Sequence, residues 1–287
     1  MRSRKKKRRC SIWVKILYFI LLAGLCIGGY IFYNNSGKNV EKVAEENGYE
    51  KKDNVDDIDA VSISEMSVGS VISSENIAQT DLSSYFQAFP IVEGDEIYQR
   101  IINKSYRKNQ DIALSDLRYL KLLHYNFEHK IQVGELIVNQ EIVPDVIDIF
   151  MKLFQKEYEI QSMYLVDNYW PENAGGKDWN TLANKADYNS IEVNNTSAFN
   201  YRMQTGGEKL SRHAMGCAVD LNPQQNPYVL KGKCAHQNAY VYMNREIDDS
   251  HVIKTGDFCY SLFVEKGFEW GGEWKSLKDY QHFEKNR

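Results

Sequence analysis

Hydrophobic positions along this chain fall into three regimes. From Ile16 to Tyr33 an uncharged run of mostly Ile, Leu, Phe, Tyr, Ala and Gly is apolar on every face, and its 18 residues suffice for a helix to cross a bilayer's hydrocarbon core. From 34 to 82, apolar residues occur singly among Asn, Ser, Glu and Asp, as at Val61, Ile63 and Val71. So dilute a pattern does not offset the entropy of ordering the chain and predicts a disordered acidic stalk. From 83 to 287 the pattern is that of a mixed domain. Alternation at Leu123, Tyr125 and Phe127, then Leu136 to Val138, predicts paired strands around a turn near Gly134. Val143, Val146, Ile147, Phe150, Leu153 and Phe154 share one helical face, with Asn139 as a candidate cap and Pro144 in the opening turn. A strand is expected near 160–166, a long polar functional loop over 170–195, and a short helix over 257–266 ending at Gly267. The segment after it, Phe268 to Trp274, is rich in aromatic residues and glycine, and the chain has no internal repeat.

Charge gives these regimes an orientation. Seven Lys and Arg between Arg2 and Arg9 precede the apolar run, so the positive-inside rule predicts a cytoplasmic basic tail over 1–15, a transmembrane anchor over 16–33 and everything later outside the cell. A cleavable signal or a lipoprotein signal fits less well: the run is long, lacks a small-x-small pattern, and Leu25 precedes Cys26 where a small residue is needed. The expected localisation is therefore the cell membrane, single-pass, with the N-terminus cytoplasmic. The first 33 residues hold eight of the 35 Lys and Arg and none of the 39 acids, which leaves the remainder acidic and speaks against nucleic acid as a partner. With 43% apolar and 13% aromatic residues and five prolines, the chain is neither disordered throughout nor collagenous. Cys217, Cys234 and Cys259 are an odd number beyond the anchor with no CxxC spacing, so no zinc ribbon is signalled and buried free thiols are preferred over a Cys234–Cys259 bridge.

Two of the six histidines stand in chemically unusual company. His213 lies in Ser211-Arg-His-Ala-Met-Gly-Cys-Ala-Val-Asp220, and His282 in Asp279-Tyr-Gln-His-Phe-Glu284. A catalytic zinc site takes three protein ligands from imidazole and carboxylate and leaves a position open; His213, Asp220 and His282 supply such a set. Gly216 and Ala218 let the backbone turn and pack closely between the first two. Asp279 reaches a metal-site water if it shares a turn with His282, and Arg202 offers a rigid cationic fork for an oxyanion. Spacing alone also fits plainer readings: a surface ion pair for Asp279 and His282, a solvated Arg202, a core role for the aromatic set near Trp270, and surface positions for His236 and His251.

The segment Ser211 to Asp220 matches S-x-H-x-x-G-x-A-x-D, and the chain thereby resembles the M15 family of zinc peptidases, the D-alanyl-D-alanine carboxypeptidases and cell-wall enzymes of the VanY, VanX and endolysin type. Asn194 to Arg202, Asn222 to Tyr228, Phe268 to Trp274, Asp279 to Glu284 and Gly134 to Asn139 are similar to the VanY-like branch. The resemblance implies Zn²⁺ held by His213, Asp220 and His282, Asp279 as general base, Arg202 stabilising the oxyanion and Ser211 lining the substrate site. It also implies an α+β fold with a central antiparallel sheet, shared with the Hedgehog signalling domain, and peptidoglycan stem peptide as partner. Many carboxypeptidase members carry Glu where this chain has Asp279, whereas Asp is familiar among endolysin-like members. The expectation is thus a D-alanyl-D-alanine carboxypeptidase, with a stem-peptide endopeptidase or a non-catalytic wall-binding module as alternatives.

Overall fold

The computed structural model describes residues 62–77, 81–172 and 176–286. The expected basic tail and anchor, and the stalk as far as residue 61, lie outside the described residues; among those described, no helix is long and apolar enough to cross a membrane. The architecture mixes helices with antiparallel sheets. Its largest sheet contains β1 (Val71–Ile72), β2 (Phe86–Pro90), β3 (Leu117–Tyr125) and β4 (Ile131–Asn139) in the order β1-β4-β3-β2. Strands β3 and β4 pair along their whole length, from Leu117 opposite Asn139 to Tyr125 opposite Ile131.

Both central strands place apolar residues on both faces, and both faces of the sheet are covered. Leu120, Leu122, Leu136 and Val138 belong to one core with α2 (Val143–Gln155), which inserts Val146, Ile149, Phe150, Leu153 and Phe154 at helical spacing. Leu117, Tyr119 and Ile137 belong to a second core with Tyr98 and Ile101 of α1 (Glu96–Ile101). The expected α2 is present. Asn139 caps the 3₁₀ turn ahead of it, accepting from the Glu141 N–H at 3.1 Å, and Pro144 stands in the first turn. The hairpin turn is at Asn126–Lys130 rather than near Gly134, which lies inside β4. Gly134 is small for packing: a Cβ there would meet Met163 Cβ at 2.9 Å.

Three other expectations are corrected. Residues 62–77 do not form the expected disordered stalk: Ile63 is fully buried in the first core and β1 extends the sheet, Val71 opposite Gln132. Single apolar residues suffice there because the sheet offers a ready-made edge and pocket. The polar stretch 170–195 is largely the helix α3 (Trp179–Glu192), capped by Asp178, which accepts from the Thr181 N–H at 3.1 Å. Its buried face consists of Leu182, Ala183, Ala186 and Ser190, too small and polar to show apolar periodicity. The strand expected near 160–166 shrinks to β5 (Ser162–Met163), parallel to β6 (Asn195–Thr196).

The remaining elements build the site. Strands β7 (Ala218–Asp220), β9 (Glu269–Trp270) and β11 (His282–Glu284) form an antiparallel sheet with β11 in the middle, while β8 (Tyr228–Val229) pairs with β10 (Lys278–Asp279). Helix α4 (Phe258–Glu265), the short helix expected over 257–266, is capped by Asp257, ends before Gly267 at φ 81° and packs Phe263 on Phe283 with ring centroids 4.0 Å apart.

Candidate active site

Three elements bring the histidine and aspartate motifs together. His213 opens the 3₁₀ turn His213–Met215, which Gly216 closes in a left-handed conformation at φ 66°. The chain then enters β7, where Asp220 stands directly opposite His282 of β11, so both side chains project from one face of the sheet. The end of β4 clamps the turn: the Asn139 N–H donates to the Gly216 carbonyl at 2.8 Å and its side-chain amide to Met215 at 3.1 Å. A Cβ on Gly216 would sit 2.6 Å from that same nitrogen. The position therefore requires glycine for both its φ and its space.

The donor atoms converge closely. His213 Nε2 is 3.1 Å from His282 Nδ1 and 3.2 Å from Asp220 Oδ2, and His282 Nδ1 is 3.0 Å from Asp220 Oδ1. Tetrahedral zinc with bonds of about 2.0–2.1 Å separates neighbouring donors by about 3.3 Å, so the triangle has the right size. Each imidazole is also turned the right way. His213 Nδ1 donates to the Ala198 carbonyl, which leaves Nε2 with its lone pair in the triangle. His282 Nε2 lies 2.9 Å from Glu284 Oε2, leaving Nδ1 for the centre. Among the described residues these three are the one group that could hold a metal ion.

The electrostatics are those of a cation site. Burial pushes the Asp220 carboxyl up, but His213 and His282 outweigh it and hold it well below the usual carboxylate range. Burial opposes charge on His282, yet Asp220 and Glu284 outweigh it and raise it to about 10. Gln281 adds a further restraint, donating to Asp220 Oδ2 at 3.1 Å.

Around the triad lies a cleft of about 460 Å³, lined also by Arg202, Ser211 and Asp279. All six residues singled out from the sequence thus share one site. Asp279 does not share a helical turn with His282: it ends β10, and Tyr280 and Gln281 bridge to β11. Burial, with the charges of Asp220 and Asp187 adding to it, pushes the Asp279 carboxyl up to about 7 against the pull of His282 and Arg202. Gly271 lets this strand approach, since a Cβ there would meet the Asp279 carbonyl at 2.5 Å. Ser211 Oγ accepts from the His213 N–H at 3.3 Å, and the Ser211 N–H donates to the Arg202 carbonyl at 3.0 Å, tying the motif serine to both neighbours.

Several contributors were not assigned from the sequence. Glu284, quoted only as part of a motif, orients His282; its i+2 spacing on a strand was the available signal. Asp187, on the undetected α3, pairs with Arg202 Nη2 at 2.9 Å. His236, expected on the surface, is buried in the cleft wall, stacked on Tyr188 at 4.2 Å and 2.8 Å from Glu192 Oε2. His251 is partly buried between Asp249 and Glu159, away from the cleft lining. In the aromatic set, Trp270 is core as the plainer reading held, whereas Trp274 lines the cleft 5.3 Å from the His282 ring. Cys234 and Cys259 are free thiols, and Cys217 and Cys259 are buried.

An M15 peptidase family model described as D-alanyl-D-alanine carboxypeptidase matches residues 205–285, the segment that carries all three candidate ligands and Asp279. No curated protein and no solved structure matches the chain.

Proposed function

We propose, from the premise that this chain is an M15 family peptidase, that it is a zinc-dependent D-alanyl-D-alanine carboxypeptidase which removes the terminal D-alanine of peptidoglycan stem peptides. In this reading residues 16–33 anchor it in the cell membrane and the peptidase domain works outside. The observation that carries the proposal is the convergence of His213, Asp220 and His282 in an open cleft.

Zinc held by these three residues would supply Lewis-acid polarisation of the scissile carbonyl and of a water. The proton traffic falls to the chain. Asp279, with a carboxyl pushed up to about 7, is poised near neutrality to take the proton of the attacking water and pass it to the leaving amine. The water oxygen bonds to the carbonyl carbon, the C–N bond breaks, and the amine of D-alanine departs with that proton. Arg202 is the fixed cation for the oxygen that gathers charge, and Ser211 lines the cleft between it and His213.

The test is mass spectrometry of pentapeptide muropeptides treated with the zinc-loaded protein. Loss of one alanine is expected; separated stem fragments would make the enzyme an endopeptidase, and bound zinc without cleavage would make it a binding module. Asp279→Asn is expected to keep stoichiometric zinc and lose about 10²–10⁴-fold in turnover. Wild-type turnover in that variant would remove the base assignment.

A further inference from the structure

We propose that Asp187 is a positioning residue for Arg202: it grips Nη2 of the guanidinium and so fixes, in the cleft wall, the cation that meets a carbonyl or oxyanion oxygen of the substrate. This deepens the peptidase reading and rests on it.

Arg202 is only 7% exposed. Its Nη2 donates to Asp187 Oδ2 at 2.9 Å and its Nη1 to the Met203 carbonyl at 3.3 Å, while Nε is buried without a partner. An arginine serving only as half of an ion pair commonly offers a carboxylate two parallel N–H groups. Here the carboxylate takes Nη2 alone, and both residues line the cleft.

The contact is not needed to dock α3 on the chain around Arg202. Three other hydrogen bonds do that: Asn200 to the Ala183 carbonyl at 3.1 Å, Trp179 Nε1 to the Tyr201 carbonyl at 3.1 Å, and the Met203 N–H to Asn180 Oδ1 at 2.8 Å. The Arg202 backbone is fixed separately, through its carbonyl, by the Ser211 N–H. Removing the Asp187 charge therefore frees a side chain while its backbone stays in place. A long guanidinium without that tether samples other rotamers, and a donor that must be preorganised loses its effect.

The experiment uses the full zinc-loaded chain and a peptide ending in D-Ala-D-Ala. Asp187→Asn is expected to lower kcat by about tenfold to a hundredfold, within the range set by loss of one oxyanion donor, with KM, melting temperature and zinc content near wild type. Asp187→Glu should recover part of the loss. In an Arg202→Ala background, adding Asp187→Asn should lower kcat far less than it does in wild type, leaving only the effect of the lost charge on Asp279, which is read as a shift of the pH profile. Wild-type kcat in Asp187→Asn, or a double variant whose loss is the product of the two single losses, overturns the proposal. A wild type that cleaves nothing sinks the peptidase reading instead. The positioning claim is then decided by calorimetric binding of a phosphinate analogue of the dipeptide: Asp187→Asn must weaken it in the presence of Arg202 and leave it unchanged in Arg202→Ala.

Discussion

Glu284 follows His282 by two residues on β11, which places both side chains on one face of the strand. Burial pushes its carboxyl up, but the bond to His282 wins and keeps it below the ordinary value, so it stays ionised beside the imidazole. Its role is to hold His282 Nδ1 toward the triangle, and partners of this kind are worth 10–100-fold in metal affinity. Glu284→Ala is therefore expected to weaken zinc binding by about that factor in a chelator-dye competition, with the fold intact by circular dichroism; unchanged affinity would refute the orienting role. Residues of this kind are hard to read from sequence. His213, Asp220 and His282 were legible because a metal demands particular donor atoms in a recurrent pattern. The Ala198 carbonyl carries no side-chain signature, and the use of Asp187 depends on an element that had not been recognised.

At the scale of elements, legibility followed side-chain size. Helix α2 was read correctly because it buries Val146, Ile149, Phe150, Leu153 and Phe154, whereas α3 packs through Ala183, Ala186 and Ser190 and shows no stripe. The pairing of β7 with β11 brings together segments some sixty residues apart, for which local periodicity holds no information. The glycine of the histidine motif was understood in kind: it lets the chain turn tightly after His213. The structure adds that Gly216 also fits beneath the Asn139 backbone at the end of β4. Gly216→Ala imposes a strained φ and a clash together, so about 2–4 kcal/mol of stability is expected to be lost. Urea unfolding measures it, and zinc affinity should fall in parallel because His213 sits on the displaced turn. A fully stable Gly216→Ala would show that the turn has more room than the 2.6 Å approach implies.

Across the whole molecule, two buried titratable groups remote from the metal triad set opposite pH dependences. Burial drives His124 down to about 4 despite its bonds to the Tyr125 and Ile160 carbonyls. Its folded value lies below the ordinary 6.5, so its contribution, about 3 kcal/mol, is complete above 6.5 and lost as pH falls toward 4. Burial drives Asp167 the other way, to about 6, against two bonds from Ser105. Its contribution is complete below the ordinary 3.8 and lost as pH rises through 6. In metal-free protein, urea unfolding at pH 7 and pH 4.5 should show His124→Gln losing less stability on acidification than wild type, and Asp167→Asn losing more. Equal differences in all three proteins would contradict this account. The molecule also begins earlier than its hydrophobic pattern suggested, since Ile63 and β1 complete the sheet. Sparse apolar residues do not nucleate a core, but they join one that others have formed.

The central claim is that His213, Asp220 and His282 hold one divalent ion with a position left open. Zinc-edge X-ray absorption on the protein loaded with one equivalent tests it most directly. The expected spectrum has two imidazole nitrogens and oxygen donors at about 2.0–2.2 Å and no sulfur, with the imidazole scattering reduced in His213→Ala and in His282→Ala. A sulfur shell at about 2.3 Å, or a spectrum indifferent to both substitutions, would place the ion elsewhere and contradict the account.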